Sequence, residues 1–68
     1  MHVRVNGERR QFAVEELTVD RLLEELDIEQ RQGLAVAVNE QVVTRSNWEE
    51  TTVGDGDEVE IIRATQGG

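Results

Sequence analysis

The chain has 68 residues, a formal net charge of −8, no cysteine and a single histidine, His2, which bounds it to one small domain without disulfides or a zinc site, stabilised by its apolar core. The acidic balance disfavours a nucleic-acid partner, whose phosphates need a positive surface, and favours a basic patch on another protein. No apolar run approaches the ~20 residues of a membrane span and no basic-then-apolar leader opens the chain, so a soluble cytoplasmic protein is expected.

Residues 2–5 alternate, with Val3 and Val5 on one face, as a half-buried strand does. Asn6-Gly7 follows, and both positions of a type I′ turn need a positive φ that this pair tolerates. The alternation resumes over residues 9–14 with Phe12 and Val14 expected inward, so the chain opens with a β-hairpin and His2 is a surface strand residue. Thr18 reads as a helix N-cap with Asp20 in the first turn. Val19, Leu22, Leu23 and Leu26 then recur at the spacing of one helical face, and the helix is expected to run out near residues 27–29. Glu24 and Glu25 lie on its wet side and read as a solvated face, since no partner residue for acid–base work accompanies them.

Leu34-Ala35-Val36-Ala37-Val38 is an apolar run of strand length, the kind expected of a strand covered on more than one side. Asn39-Glu40 turns the chain and residues 41–44 return as a short strand. Residues 45–50 show no clear period; Trp48 within them is read as capping one end of the core rather than as a stacking platform, because no basic surface surrounds it. Asp55-Gly56-Asp57 lacks the ligand series of a calcium loop and reads as a plain turn. It leads into a strand over residues 58–64, with Val59 and Ile61 on one face and Ile62 on the other, either exposed for docking or covered by the chain's own loops.

A helix after an opening hairpin can bury its leucine stripe against Val3, Val5, Phe12, Val59 and Ile61, and a later strand can then pair in parallel with the first. The expected fold is α+β: a two-layer, ubiquitin-like β-grasp domain over residues 1–64, with a mixed sheet of four to five strands and one main helix on one face. Residues 65–68 are expected to form a flexible tail leaving the central last strand. The tail ends in Gly67-Gly68, which is either an inert terminus or a reactive group on a stalk. Its terminal carboxylate is ionised at neutral pH, since such groups have a pKa of roughly 3.3–3.7. A carboxylate is a poor acyl donor until activated, and no activating group is present in the chain, so the catalyst is expected to be a partner. Glycine leaves the acyl carbon unhindered, and four or five extended residues reach about 15 Å into a narrow channel.

Val5-Asn6-Gly7-Glu8, Val36-Ala37-Val38-Asn39, Arg45-Ser46 with Trp48, Gly56-Asp57-x-Val59-Glu60-Ile61 and the final Gly67-Gly68 together closely resemble the ThiS family of thiamine-biosynthesis sulfur carriers, over essentially the whole chain. Two departures stand out: Glu40 occupies a turn position where the family often has glycine, and Thr65-Gln66 precede the final pair where a further glycine or small residue is common.

The resemblance implies carrier chemistry rather than enzyme activity, with no bound cofactor and no metal. An E1-like adenylyltransferase of the ThiF type uses ATP to adenylate the Gly68 carboxylate. A sulfur donor such as a cysteine desulfurase then supplies the sulfur of a thiocarboxylate, which is delivered to a thiazole synthase of the ThiG type. On this reading Gly67 and Gln66 thread the partners' active sites, Ile62 is a candidate docking residue, and the carrier alone is a monomer. Two neighbouring readings share the fold and the Gly-Gly end: the small subunit of molybdopterin synthase, and a ubiquitin-type protein modifier. A binding module with an inert tail is the plain alternative.

Overall fold

A computed structural model describes residues 1–63. The strands are β1 (His2–Val5), β2 (Glu8–Gln11), β3 (Glu16–Thr18), β4 (Leu34–Val38), β5 (Gln41–Val43), β6 (Thr52–Gly54) and β7 (Glu58–Arg63), and the helix is α1 (Val19–Glu25). Five strands form a mixed sheet in the order β2-β1-β7-β4-β5, while β3 and β6 pair separately. β1 and β7 run parallel and the other pairs are antiparallel. This is the expected α+β arrangement, with the last strand central and the helix covering one face. The tail over residues 65–68 and the domain boundary at residue 64 lie outside the described residues.

The core is one cluster. Val3, Val5, Val36 and Val59 from the sheet meet Val19, Leu22 and Leu23 from α1, closed by Trp48 and Val53. Trp48 is 2% exposed, as a core cap, and its indole N–H donates to the Val43 carbonyl at 2.9 Å. That bond satisfies the one polar atom the ring takes out of water.

The helix is shorter than its leucine spacing suggests. Thr18 caps it, accepting from the Arg21 N–H at 3.2 Å, and the Val19 and Asp20 N–H groups donate to the Thr51 and Trp48 carbonyls. The segment before β6 therefore satisfies first-turn donors that a helix cannot satisfy itself. At the other end Asp27 takes a left-handed φ of 61°. The Asp27 N–H returns to the Glu24 carbonyl and the Ile28 N–H to the Leu23 carbonyl, which is the Schellman termination with aspartate where glycine is usual. Ile28 packs back on the core as the accompanying apolar contact.

Three expectations are corrected. β2 stops at Gln11 and Val14 is 44% exposed, not inward. The Met1 ammonium donates to the Phe12 and Val14 carbonyls at 2.7 and 2.8 Å, so residues 12–14 wrap around the chain start instead of continuing the pleat. The apolar run of β4 is not covered on both sides: Val36 is buried and Ala35 is exposed, because the helix protects only one face. Residues 45–50, which show no clear period, hold a short 3-10 turn at Arg45–Asn47, and residues 52–54, to which the sequence assigns no element, form the strand β6.

Both β-hairpin turns are of the same kind. Asn6 and Gly7 have φ of 52° and 83°, and Asn39 and Glu40 have 50° and 70°. Glutamate in place of glycine has therefore not changed the turn type; Glu40 adopts the left-handed geometry that glycine would take without a Cβ penalty.

Candidate functional site

The strand that would carry the tail, β7, is flanked by β1 on one side and β4 on the other. Its alternation divides the sheet's two faces. Val59 and Ile61 point to the helix, while Glu58, Glu60 and Ile62 point away from it. On this outer face Ile62 lies opposite Ala35, and Ala37 lies opposite both Glu60 and Val42. Ile62 is 62% and Val42 75% exposed. Of the two alternatives for Ile62, exposure is what is found. Together with Ala35, Ala37 and Val42 it forms an apolar strip across three strands, immediately before the chain leaves β7. The continuous apolar character of β4 now has a physical reading: its inward residues feed the core and its outward alanines keep this strip low.

The charged half of the outer face lies on β1 and β2. Arg4 is opposite Arg9 on one side and Glu58 on the other. An open depression of about 150 Å³ is lined there by His2, Val3, Arg4, Arg9, Gly56 and Asp57. His2 sits on the exposed side of its strand, as expected. The two aspartates of the Asp55-Gly56-Asp57 turn are used as internal acceptors. Asp55 takes the His2 N–H at 2.7 Å, and Asp57 takes the Gly54 N–H at 2.8 Å and the Asn39 amide at 3.1 Å. They tie the turn to its neighbours, which is the work of a structural turn rather than of an ion site.

Among the described residues no polar or charged side chain is buried, and no group of three or more His, Asp and Glu is placed to hold a metal ion. What the body does offer is a root for the tail and an exposed strip beside it. Gln66, Gly67 and Gly68, the residues the sequence singles out for the chemistry, lie outside the described residues.

Sequence reasoning missed the two asparagines that grip β7. Asn6 places its side-chain amide against the strand just past the end of β1. Its Oδ1 accepts the Ile61 N–H at 2.7 Å and its Nδ2 donates to the Ile61 carbonyl at 3.2 Å. Asn39 acts at the start of β7 from the other edge, accepting the Glu58 N–H at 3.0 Å through Oδ1 while its own N–H donates to the Glu58 carbonyl at 2.7 Å. The turn residues were legible as turns, but nothing in the spacing shows a partner 55 positions away.

The family model of the ThiS family matches residues 3–68. The chain belongs to the ThiS family. It is 41% identical over 69 residues to the sulfur carrier protein ThiS of Escherichia coli K12, with both chains covered completely. It is 38% identical over 68 residues to a thiazole synthase of Paramagnetospirillum magneticum, and spans only about a fifth of that protein's length. Among solved structures, it is similar to the crystal structure of the ThiS thiamine biosynthesis protein from Geobacter metallireducens. The TM-score is 0.89 at 36% identity, with each chain covered in full. The ThiS β-grasp body is therefore the scaffold on which β7, its outer strip and its two asparagine contacts are presented. Among the described residues no helix is long and apolar enough to cross a membrane.

Proposed function

We propose that this protein is the sulfur carrier of thiamine biosynthesis, loaded and discharged at the Gly68 carboxylate. The observation that carries the reading is the end-to-end correspondence with a sulfur carrier protein ThiS, in a chain whose last two residues are Gly67-Gly68. The balance of the cycle is simple. A Gly68 carboxylate oxygen attacks the α-phosphate of ATP, giving an acyl-adenylate and pyrophosphate. The terminal sulfur of a persulfide on a donor such as a cysteine desulfurase displaces AMP to give an acyl disulfide. A second thiol on a partner then cleaves its S–S bond, leaving a thiocarboxylate on Gly68 and a disulfide on the partners. A thiazole synthase takes up the sulfur, and an oxygen from water or the acceptor substrate replaces it at the acyl carbon, regenerating the carboxylate. The carrier turns over as a co-substrate and is not itself the catalyst.

Adenylation is assigned to an E1-like partner of the ThiF type, because the chain's net charge of −8 disfavours holding a polyphosphate on its own surface. Thiazole synthase as acceptor is supported by the Paramagnetospirillum relative, a thiazole synthase about a fifth of which corresponds to this chain. We assign the outer strip around Ile62 to docking and Gln66 and Gly67 to the segment that enters the partners' active sites. We propose a cytoplasmic location, where ATP for such a cycle is at hand.

Intact mass spectrometry tests the reading. Incubated with an adenylating enzyme of this class, ATP and a sulfur source, the protein should gain the mass of one oxygen exchanged for sulfur. Deletion of Gly68 should abolish the gain, and thiazole synthase should reverse it. A stable conjugate to another protein would point to a ubiquitin-type modifier, discharge only by the large subunit of molybdopterin synthase would move the protein to that pathway, and no change of mass would sink the carrier reading.

A further inference from the structure

We infer that Asn6 is a positioning residue for the carrier reaction: its side-chain amide substitutes for a missing stretch of β1 and makes the docking strip and the root of the tail one rigid body. This rests on the carrier reading above. β1 pairs with β7 only at Arg4↔Glu58 and Val5↔Val59, and the Asn6 N–H extends the contact to the Val59 carbonyl at 2.9 Å. Beyond that point the chain turns away through Gly7. β7 nevertheless continues to Arg63, paired with β4 as far as Leu34↔Arg63. Without a further contact, residues 60–63 would have a neighbour on one edge alone and would behave as an edge strand, free to twist about its remaining partner.

The Asn6 amide fills that gap. One carboxamide carries one acceptor and two donors, so it can present to Ile61 the same donor–acceptor pair that a strand residue would. Both bonds are made, at 2.7 and 3.2 Å. The contact falls at the residue immediately before Ile62 and four before Thr65, where the expected tail begins. The positive φ of Asn6 makes this possible: at 52° the backbone has left the strand, and the side chain points along the direction that the strand would have followed.

The functional consequence follows from reach. Five residues, 64–68, extend at most roughly 16–18 Å. A partner that docks on the outer strip must find the Gly68 carboxylate within that length, at the mouth of its own site. Slack in the strand between strip and tail lowers the effective concentration of the carboxylate there, and misplacements of about 1 Å can cost up to ~10²-fold in rate. Because Ala35, Ala37 and Val42 of the strip lie on β4 and β5, which Asn6 does not hold, loosening residues 60–63 displaces Ile62 and the root of the tail but leaves the rest of the docking surface in place. The loss therefore belongs in kcat rather than in KM.

Asn6→Gly separates this role from the turn, since glycine accepts the same positive φ while removing the amide. With the adenylating enzyme, ATP and a sulfur source, the rate of mass gain is measured against carrier concentration for both proteins, together with amide hydrogen exchange at Ile61. The expected result is faster Ile61 exchange, a kcat lower by about tenfold and a KM within about twofold of wild type. Asn6→Asp, which keeps the Oδ1 acceptor for the Ile61 N–H and loses the donor, should fall between the two. It also keeps a side chain suited to the turn, should Asn6→Gly fold poorly. An unchanged kcat alongside faster Ile61 exchange, or a loss confined to KM, would overturn the inference while leaving the carrier reading intact. If wild type itself gains no sulfur, the carrier reading fails and this inference falls with it.

Discussion

Among the described residues four non-glycine residues hold a positive φ: Asn6, Asp27, Asn39 and Glu40. The two asparagines repay the strain through their contacts with β7. Asp27 and Glu40 show no such return among the described residues, so they are where glycine should stabilise. At Asp27 two effects add. The left-handed backbone carries a Cβ penalty, and a carboxylate beside the helix C-terminus faces the negative end of the dipole, with Glu24 and Glu25 already in the last turn. Asp27→Gly is expected to gain about 1 kcal/mol, seen as a Tm rise of several degrees in a domain of this size. Asp27→Asn should recover only the electrostatic part. Glu40→Gly has the conformational term alone and should gain less. A Tm unchanged or lowered in Asp27→Gly would mean that the Asp27 side chain contributes a contact not captured by its backbone geometry.

At the scale of elements, what the sequence discloses depends on how many residues share a periodic environment. The helix face, the opening hairpin and the central last strand were legible because each repeats an apolar position two or more times. β3 and β6 were not: each has three residues, and β6 turns one residue, Val53, fully inward, which is no period at all. The end of β2 was misjudged because Phe12 and Val14 continue the alternation that the Met1 ammonium interrupts. The candidate site divides in the same way. The Ile62 face followed from alternation, whereas the Asn6 contact with Ile61 is a tertiary bond that no local pattern encodes. The hairpin also contains a choice that alternation cannot reveal. The two-residue turn makes Val5↔Glu8 the hydrogen-bonded pair, so Arg4↔Arg9 is the close, non-hydrogen-bonded pair, with Cα atoms about 4.5 Å apart. Neither arginine has an ion-pair partner among the described residues, while Arg10, Arg21 and Arg31 are paired with Glu8, Glu24 and Asp20. Like charges so placed destabilise a hairpin. Arg9→Glu should therefore stabilise the protein by roughly 0.2–1 kcal/mol at low salt, and the gain in thermal melts should shrink as salt screens the new pair. A gain that is indifferent to salt would show that the effect is not this charge pair.

For the molecule as a whole, the docking proposal gives one sheet two tasks on opposite faces, and adjacent residues of β7 test the division. Ile61 packs against the core cluster; Ile62 is 62% exposed on the side away from the helix. The two side chains are chemically identical, so a substitution common to both reports on the face alone. Ile61→Asp places a carboxylate against Val36, its cross-strand neighbour in the core, where the charge must be desolvated or neutralised. A domain of this size has only a few kcal/mol of stability to lose, so Ile61→Asp should melt far below wild type or fail to fold. Ile62→Asp keeps its charge in water beside Ala35 and should leave the melt nearly unchanged, within about 0.5 kcal/mol. Ile62→Asp should instead weaken the partners' grip. It adds a negative charge to a surface already at −8 and removes an apolar contact from the middle of the strip, so the KM for the carrier should rise by about tenfold or more, with kcat at saturation largely retained. Asn6→Gly is expected to show the converse pattern, a fall in kcat at constant KM, and Ile62→Asp combined with Asn6→Gly should show both losses multiplied, because docking and tail placement are separate steps along one strand. Should Ile62→Asp unfold the protein, the outer face is part of its stability; should it fold and leave KM unchanged, the strip is not where the partners bind.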